Sequence, residues 1–244
     1  MSQNSKMKVK EEKYGKTELT VSHNGNDLTF IYPSFDSFYP ERSIDEAELG
    51  RPTLAQTVSL VHTAFNSDDV YSEEIKKRIK DGVLAFTGVL YVPNKGVYFE
   101  DDPKVSFGMP KMKESELIKK LEKNDPSVRF VPFGFKVCWI TSEELRKNKY
   151  VIGLVGEESA DKLADIAGRF KKDPTLCNYS FTDGLLKRIS FMGVQRVIEP
   201  YILEESLNIG DSPGFNCRNA SVFGYKLENP PKNSLRRWRY ELYD

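Results

Sequence analysis

Val83–Glu100 reads VLAFTGVLYVPNKGVYFE, two apolar runs rich in β-branched and aromatic residues on either side of Asn94-Lys95. Runs of this composition broken by turn residues predict a β-hairpin. A second hairpin is predicted upstream. Leu19, Val21 and His23 alternate before Asn24-Gly25-Asn26-Asp27, and Leu28, Phe30 and Tyr32 alternate after it. Between the two lies a helix. Pro52 and Thr53 precede Leu54–Phe65, Gln56 completes a capping box with Thr53, and Leu54, Val58, Val61 and Phe65 trace one face. Hairpins and helices without regular βα alternation set the class as α+β: mixed or antiparallel hairpins with four to five packed amphipathic helices.

Further helices are predicted over 73–81, opening at Ser72 with Glu73 and Glu74, near 114–123 around Leu117, Ile118 and Leu121, and after Thr141 with Glu144. Helix 157–170 carries Ala160, Leu163, Ala164, Ala167 and Phe170 on one stripe. Tyr150–Val155 reads as a buried strand running into that helix. Val128–Ile140 reads as a strand with Phe133, Phe135, Val137 and Trp139 on one sheet face. The last quarter reads as β near 185–203, 220–227 and 235–243. Residues 1–16, with five lysines and few large apolar groups, read as a disordered basic tail, and 17–244 as one domain with a candidate subdomain break near 171–184.

Lys+Arg and Asp+Glu are both 36, so no global field draws the chain to nucleic acid or an acidic membrane. Cys138, Cys177 and Cys217 are odd in number and widely spaced, which argues against a disulfide framework or a cysteine zinc site and favours a reducing compartment. The polar N-terminus does not read as a secretory leader, and no run approaches the roughly 18 apolar residues of a membrane helix. A cytoplasmic protein without a membrane partner is the expectation.

The chemistry-bearing strings break on particular residues. Gly210-Asp211-Ser212-Pro213-Gly214 fits G-x-S-x-G, but Pro213 lacks the N–H that an oxyanion hole would need after the serine. Both histidines, His23 and His62, lie upstream of it. Gly153-Leu154-Val155-Gly156 has neither a Walker lysine nor a third glycine, so there is no nucleotide fingerprint. Glu157 and Glu158 already occupy the helix N-terminus that follows. Glu100-Asp101-Asp102 would hold a divalent cation if Pro103 turned the three carboxylates together. His62 is the candidate base or added ligand, and Cys217 beside Arg218 the candidate nucleophile.

Two segments are candidate contact surfaces. Tyr32–Pro40 sets four rings, with Phe35, Phe38 and Tyr39 foremost, on backbone that its two prolines bar from a regular helix or central strand. Arg236, Arg237, Trp238 and Arg239 interleave cations with a stackable ring and could join the N-terminal lysines on nucleic acid. Gly214–Ala220 followed by Phe223–Lys226 resembles the closing segment of C-type-lectin-like domains of the formylglycine-generating type. Tyr225-Lys226 stands where that family has Phe-Arg, and its Trp/Gly/Asp-rich loops are missing elsewhere, so the fold is not carried over. The leading expectation is a non-catalytic binding or protein-interaction domain. The alternatives are a metal-dependent enzyme on a small or phosphate-containing substrate and a nucleic-acid-binding accessory.

Overall fold

A computed structural model describes residues 6–11, 16–35, 40–106, 108–136, 138–177, 188–198, 205–211 and 221–228. Both hairpins form where their turns require them. Strand β2 (Thr17–His23) and strand β3 (Asn26–Phe35) meet through Asn24 and Gly25, both at positive φ, the conformation that suits a two-residue turn to twisted strands. Strand β4 (Val83–Val92) and strand β5 (Gly96–Asp101) meet through Asn94, also at positive φ.

The first hairpin is the centre of a four-stranded sheet. Strand β1 (Lys8–Glu11) adds to β2, and strand β13 (Val222–Tyr225) adds to β3. Residues 8–11 therefore correct the reading of 1–16 as disordered: Met7 enters the core, where its N–H donates to the Ser67 hydroxyl at 3.3 Å, and β1 pairs with β2 from there. The second hairpin belongs to a seven-stranded sheet. Outward from β5 lies strand β8 (Val128–Pro132). Outward from β4 lie strands β11 (Arg188–Ile198), β12 (Glu205–Asp211), β10 (Thr175–Cys177) and β9 (Cys138–Trp139). Among the described strand pairs of this sheet, β10–β12 is parallel and the others are antiparallel. A two-stranded ribbon, β6 (Val105–Ser106) and β7 (Met109–Pro110), follows β5.

Seven helices occur among the described residues, more than the four to five expected. They are α1 (Pro40–Glu46), α2 (Leu54–Phe65), α3 (Val70–Arg78), α4 (Glu114–Glu122), α5 (Ser142–Lys147), α6 (Lys149–Val155) and α7 (Glu157–Ala167). Both predicted capping boxes, Thr53/Gln56 and Thr141/Glu144, are present in full. Helix α2 packs on β2 of one sheet and β4 of the other, with α3, α6 and α7 around it. Eight of its twelve residues are buried. The main core joins both sheets through it, from Leu19 and Phe30 to Val89, Phe99 and Ile209. A second cluster of Leu90, Tyr98, Leu117 and Val128 fills the opposite face of the large sheet under α4. Ile44, Phe86 and Val222 form a third under α1.

Three local readings are corrected. Tyr150–Val155 is helix, because Asn148 caps it by accepting from the N–H groups of Tyr150 and Val151 at 2.9 and 3.4 Å. Gly156, at positive φ, turns α6 into α7, so the glycine string joins two helices rather than a strand and a helix. Phe133, Phe135 and Trp139 do not belong to one strand, and Val137 lies outside the described residues. Strand β8 stops at Pro132, and Gly134 at positive φ redirects the chain before β9. Tyr32–Phe35 belongs to β3 despite Pro33. Strand β2 pairs only as far as Tyr32, and the β13 register shifts across this stretch, so the missing proline N–H falls outside the regular ladder. Strand 235–243 lies outside the described residues, as does the 178–184 part of the candidate subdomain break.

One polar network fastens the N-terminus of α2. The Leu54 N–H donates to Thr87 Oγ1 at 2.9 Å, and that hydroxyl donates to Asp101 Oδ1 at 2.9 Å. Arg129 grips the same carboxylate with two N–H groups at 2.5 and 2.9 Å, and its Nε donates to the Gly153 carbonyl at 2.6 Å. Five elements, α2, β4, β5, β8 and α6, thus meet on one ion pair whose two side chains are about a quarter exposed. Replacing Arg129→Met would strand the carboxylate and two α6 carbonyls. It should cost about 2–3 kcal/mol of unfolding free energy, read as a lowered denaturation midpoint with unchanged slope.

Candidate functional site: a histidine seam between two helices

The three acidic candidates do not converge. Glu100 and Asp101 are consecutive in β5 and point to opposite faces of the sheet. Glu100 lies on the α4 side and accepts from Lys120 Nζ at 2.5 Å. Asp101 lies on the α2 side within the Arg129 network, and Asp102, beyond the strand at positive φ, faces Arg51 at 3.6 Å. Lysine and arginine already neutralise all three. Among the described residues no group of three or more His, Cys, Asp or Glu side chains is placed to hold a metal ion.

Phe35 is half-buried against the Ile44, Phe86 and Val222 cluster, so it serves packing as well as any surface. Phe38, Tyr39, Cys217, Arg236, Arg237, Trp238 and Arg239 lie outside the described residues, as do Ser212, Pro213 and Gly214.

His62 does lie in a cluster of chemically able groups, together with residues the sequence reading left scattered. On α2, Ser59, His62 and Asn66 follow at spacings of three and four, one stripe of the helix. Facing them, Glu158, Lys162, Asp165 and Arg169 run along α7 and just past its end. The tip of the first hairpin brings in His23. Both histidines of the chain therefore meet one seam.

At the upper end, His23 Nδ1 is 2.9 Å from Ser59 Oγ, and Asn24 Nδ2 is 3.3 Å from His23 Nε2. An amide NH2 can only donate, so Nε2 accepts and the neutral ring carries its proton on Nδ1. Lys162 Nζ donates to the same Ser59 oxygen at 3.0 Å, to Glu158 at 2.7 Å and to the Ser22 carbonyl at 3.5 Å. Ser59 in turn donates to the Ala55 carbonyl at 3.3 Å. The serine, 1% exposed, thus gives its proton to a backbone carbonyl while two N–H donors occupy its lone pairs. The grouping of serine, histidine and lysine is the reverse of an activated nucleophile, which must lose its proton to a neighbouring base.

At the lower end, Asn66 Nδ2 is 3.3 Å from His62 Nε2 and donates to the His62 carbonyl at 2.9 Å. Arg169 donates to Asn66 Oδ1 at 2.5 Å and to the Phe65 carbonyl at 2.8 Å, which fixes the amide and closes the C-terminus of α2. Asp165 Oδ2 lies 3.5 Å from His62 Nε2, while its other oxygen takes Arg146 at 2.6 Å. His62 is therefore also an Nδ1–H tautomer. Burial holds both imidazoles below their ordinary pKa. Lys162 adds to this at each, whereas Asp165 opposes it at His62 and Glu158 at His23.

The sequence holds a signal for this seam. Ser59, His62 and Asn66 are a polar stripe on a helix otherwise buried, and Glu158, Lys162, Asp165 and Arg169 are the charge-bearing match on α7. Two aromatics of the Val128–Ile140 stretch are exposed. Phe130, in β8, and Phe133, just beyond it, are 36% and 41% exposed.

Nitrogen-15 spectra at pH 7.5 should show Nδ1 protonated and Nε2 bare in both histidines, the minority tautomer of free imidazole. A protonated Nε2 at either ring would contradict the hydrogen-bond assignment.

No family model matches the chain, and neither a curated protein nor a solved structure matches it.

Proposed function

We propose that the chain is a non-catalytic, cytoplasmic binding protein that meets a protein partner through the aromatic edge at β8. The observation that carries this reading is the exposure of Phe130 and Phe133 in a chain that buries Phe30, Phe99 and Phe223 to 1% or less. Both rings are supported from behind. Phe130 lies 4.6 Å from Tyr98, and Phe133 leads through Phe135 at 6.1 Å to Tyr150 at a further 5.1 Å. Rings already held in place lose little side-chain entropy on binding, which is why aromatics dominate contact hot spots.

The surroundings favour protein over nucleic acid as the occupant. Lys95, whose carbonyl accepts from the Phe133 N–H, is paired with Glu114 at 2.7 Å, and Lys136 is paired with Glu144 at 2.6 Å. A stacking site for nucleic acid needs uncompensated cations beside the rings. The contact is also one of side chains rather than strand addition. Although β8 ends the sheet, Pro132 has no N–H to offer and the Val128 N–H is spent on the Asp125 carbonyl at 3.2 Å. The catalytic alternatives gain no comparable support, because the carboxylates and both histidines are engaged internally.

A photoreactive phenylalanine at position 133, irradiated in cell extract, should give an adduct of one defined mass. That adduct should vanish with Phe130→Ser and should not form from the same probe at Lys123. Because Phe130 is partly solvated, its replacement should cost no more than about 1 kcal/mol, so a lost adduct would report binding rather than unfolding. Identical labelling from positions 133 and 123, or none from 133, would end the proposal.

A further inference from the structure

We infer that the seam between α2 and α7 is a proton-sensitive latch, which holds the tip of the first hairpin and the last turn of α2 against α7 only while His23 and His62 are neutral. The two halves use different physics. At His62 the obstacle is a donor meeting a donor. Asn66 cannot rotate to offer its oxygen, because Arg169 occupies Oδ1 and the His62 carbonyl takes the amide NH2. A proton on Nε2 would therefore face another N–H, while the nearest carboxylate, Asp165, stands 3.5 Å away with Arg146 already on its other oxygen.

At His23 the obstacle is a cation beside a cation. Nδ1 of the ring and Nζ of Lys162 both lie within 3.0 Å of the single Ser59 oxygen. That oxygen anchors the hairpin tip, whose other ties are the Ser22 carbonyl to Lys162 and the Asn24 N–H to Glu158. All of these ties involve Lys162 or its own partners.

The charged groups facing each ring come from every element around it. His23 meets Lys162 and Glu158 from α7 and Asp101 from β5, with Ser59 as its neutral partner on α2. His62 meets Asp165 and Lys162 from α7 and Arg169 just beyond it. Arg146 of α5 holds Asp165 from the far side, and Asp161 also faces Arg146. Lys162 opposes protonation of both rings, so one ammonium couples the two halves.

The sign follows from linkage. Each imidazole titrates lower in the fold than in the unfolded chain, so unfolded or opened forms bind more protons as pH falls through 6.5. The stabilisation is complete above that value and is lost as pH falls toward the depressed folded values. The carboxylates with lowered values, Asp69, Glu74, Asp125, Glu143, Glu144 and Glu158, lose their contribution only in more acidic solution, below the histidine window.

Hydrogen exchange on the full chain at pH 7.5 and pH 5.5, corrected for intrinsic rates, tests the latch. The opened fraction at amides 22–26 and 62–66 should rise several-fold at pH 5.5, while the amides of β4 and β5 change little. The rise should disappear in His23→Gln/His62→Gln. Equal protection of the seam at both pH values, an equal loss in β4 and β5, or a rise that survives the double replacement would overturn the inference. Should the double variant fail to fold, Lys162→Met and Asn66→Asp serve instead. The first should raise both imidazole pKa values and the second that of His62, followed by proton NMR titration, and two unmoved titrations would also overturn it.

Discussion

A helix with most of its residues buried has little water to satisfy its polar groups, and α2 is in that position between two sheets. Its buried residues include Thr57, Ser59 and Thr63 as well as Leu54, Val58, Leu60 and Val61. The Ser59 and Thr63 hydroxyls turn back to carbonyls one helical turn earlier. The Leu54 N–H at the first turn reaches through Thr87 to Asp101, and the last turn is closed by Arg169. Thr57 Oγ1 is buried without a hydrogen-bond partner; an unpaired polar group in such a place costs about 1–3 kcal/mol, so the partners of the other groups limit what this helix must bear.

That constraint accounts for the fate of the residues that looked catalytic. Asp101 and His62 are the kinds of groups that enzymes use, but each is occupied in keeping α2 housed. Asp101 gives both oxygens to Arg129 and Thr87, and His62 gives its free nitrogen to the amide that caps the helix end. Chemistry would need one of these groups to exchange its partner for a substrate. The charged inventory of the interior is spent on architecture, while the described surface exposes two phenylalanines at the end of a sheet, besides Val9, Val70, Met109 and Ile118 elsewhere.

The parts of the fold that are local could be read from the chain. The Asn24-Gly25 turn, the Asn94 turn and the two capping boxes are decided within four residues and formed as expected. Tyr150–Val155 was misread because a short apolar run suits a buried strand and a buried helix equally. The deciding residue, Asn148, precedes the run, and its side chain supplies the cap. Pro33 misled in the opposite direction, since its tolerance in β3 depends on where β2 ends and how β13 registers, both non-local facts. The seam was hidden for the same reason. His23 and Ser59 are 36 positions apart and Lys162 and Ser59 are 103 apart, so only the packing of hairpin and helices brings them to one oxygen.

The two ends of α2 differ in a way that separates mobility from recognition. The N-terminal anchor contains no histidine, and it includes Arg129, the neighbour of Phe130 in β8. The same arginine holds the Gly153 carbonyl of α6, and Tyr150 of that helix packs on Phe135 behind Phe133. Whatever proton uptake does to the far half of α2, the aromatic edge is fastened to the half that holds no histidine. On the reading proposed above, such a chain would loosen its first hairpin while the aromatic edge keeps its Arg129 anchor. The ion pair of Asp101 and Arg129 belongs to that anchor, and through Asp101 it also faces His23 of the first hairpin.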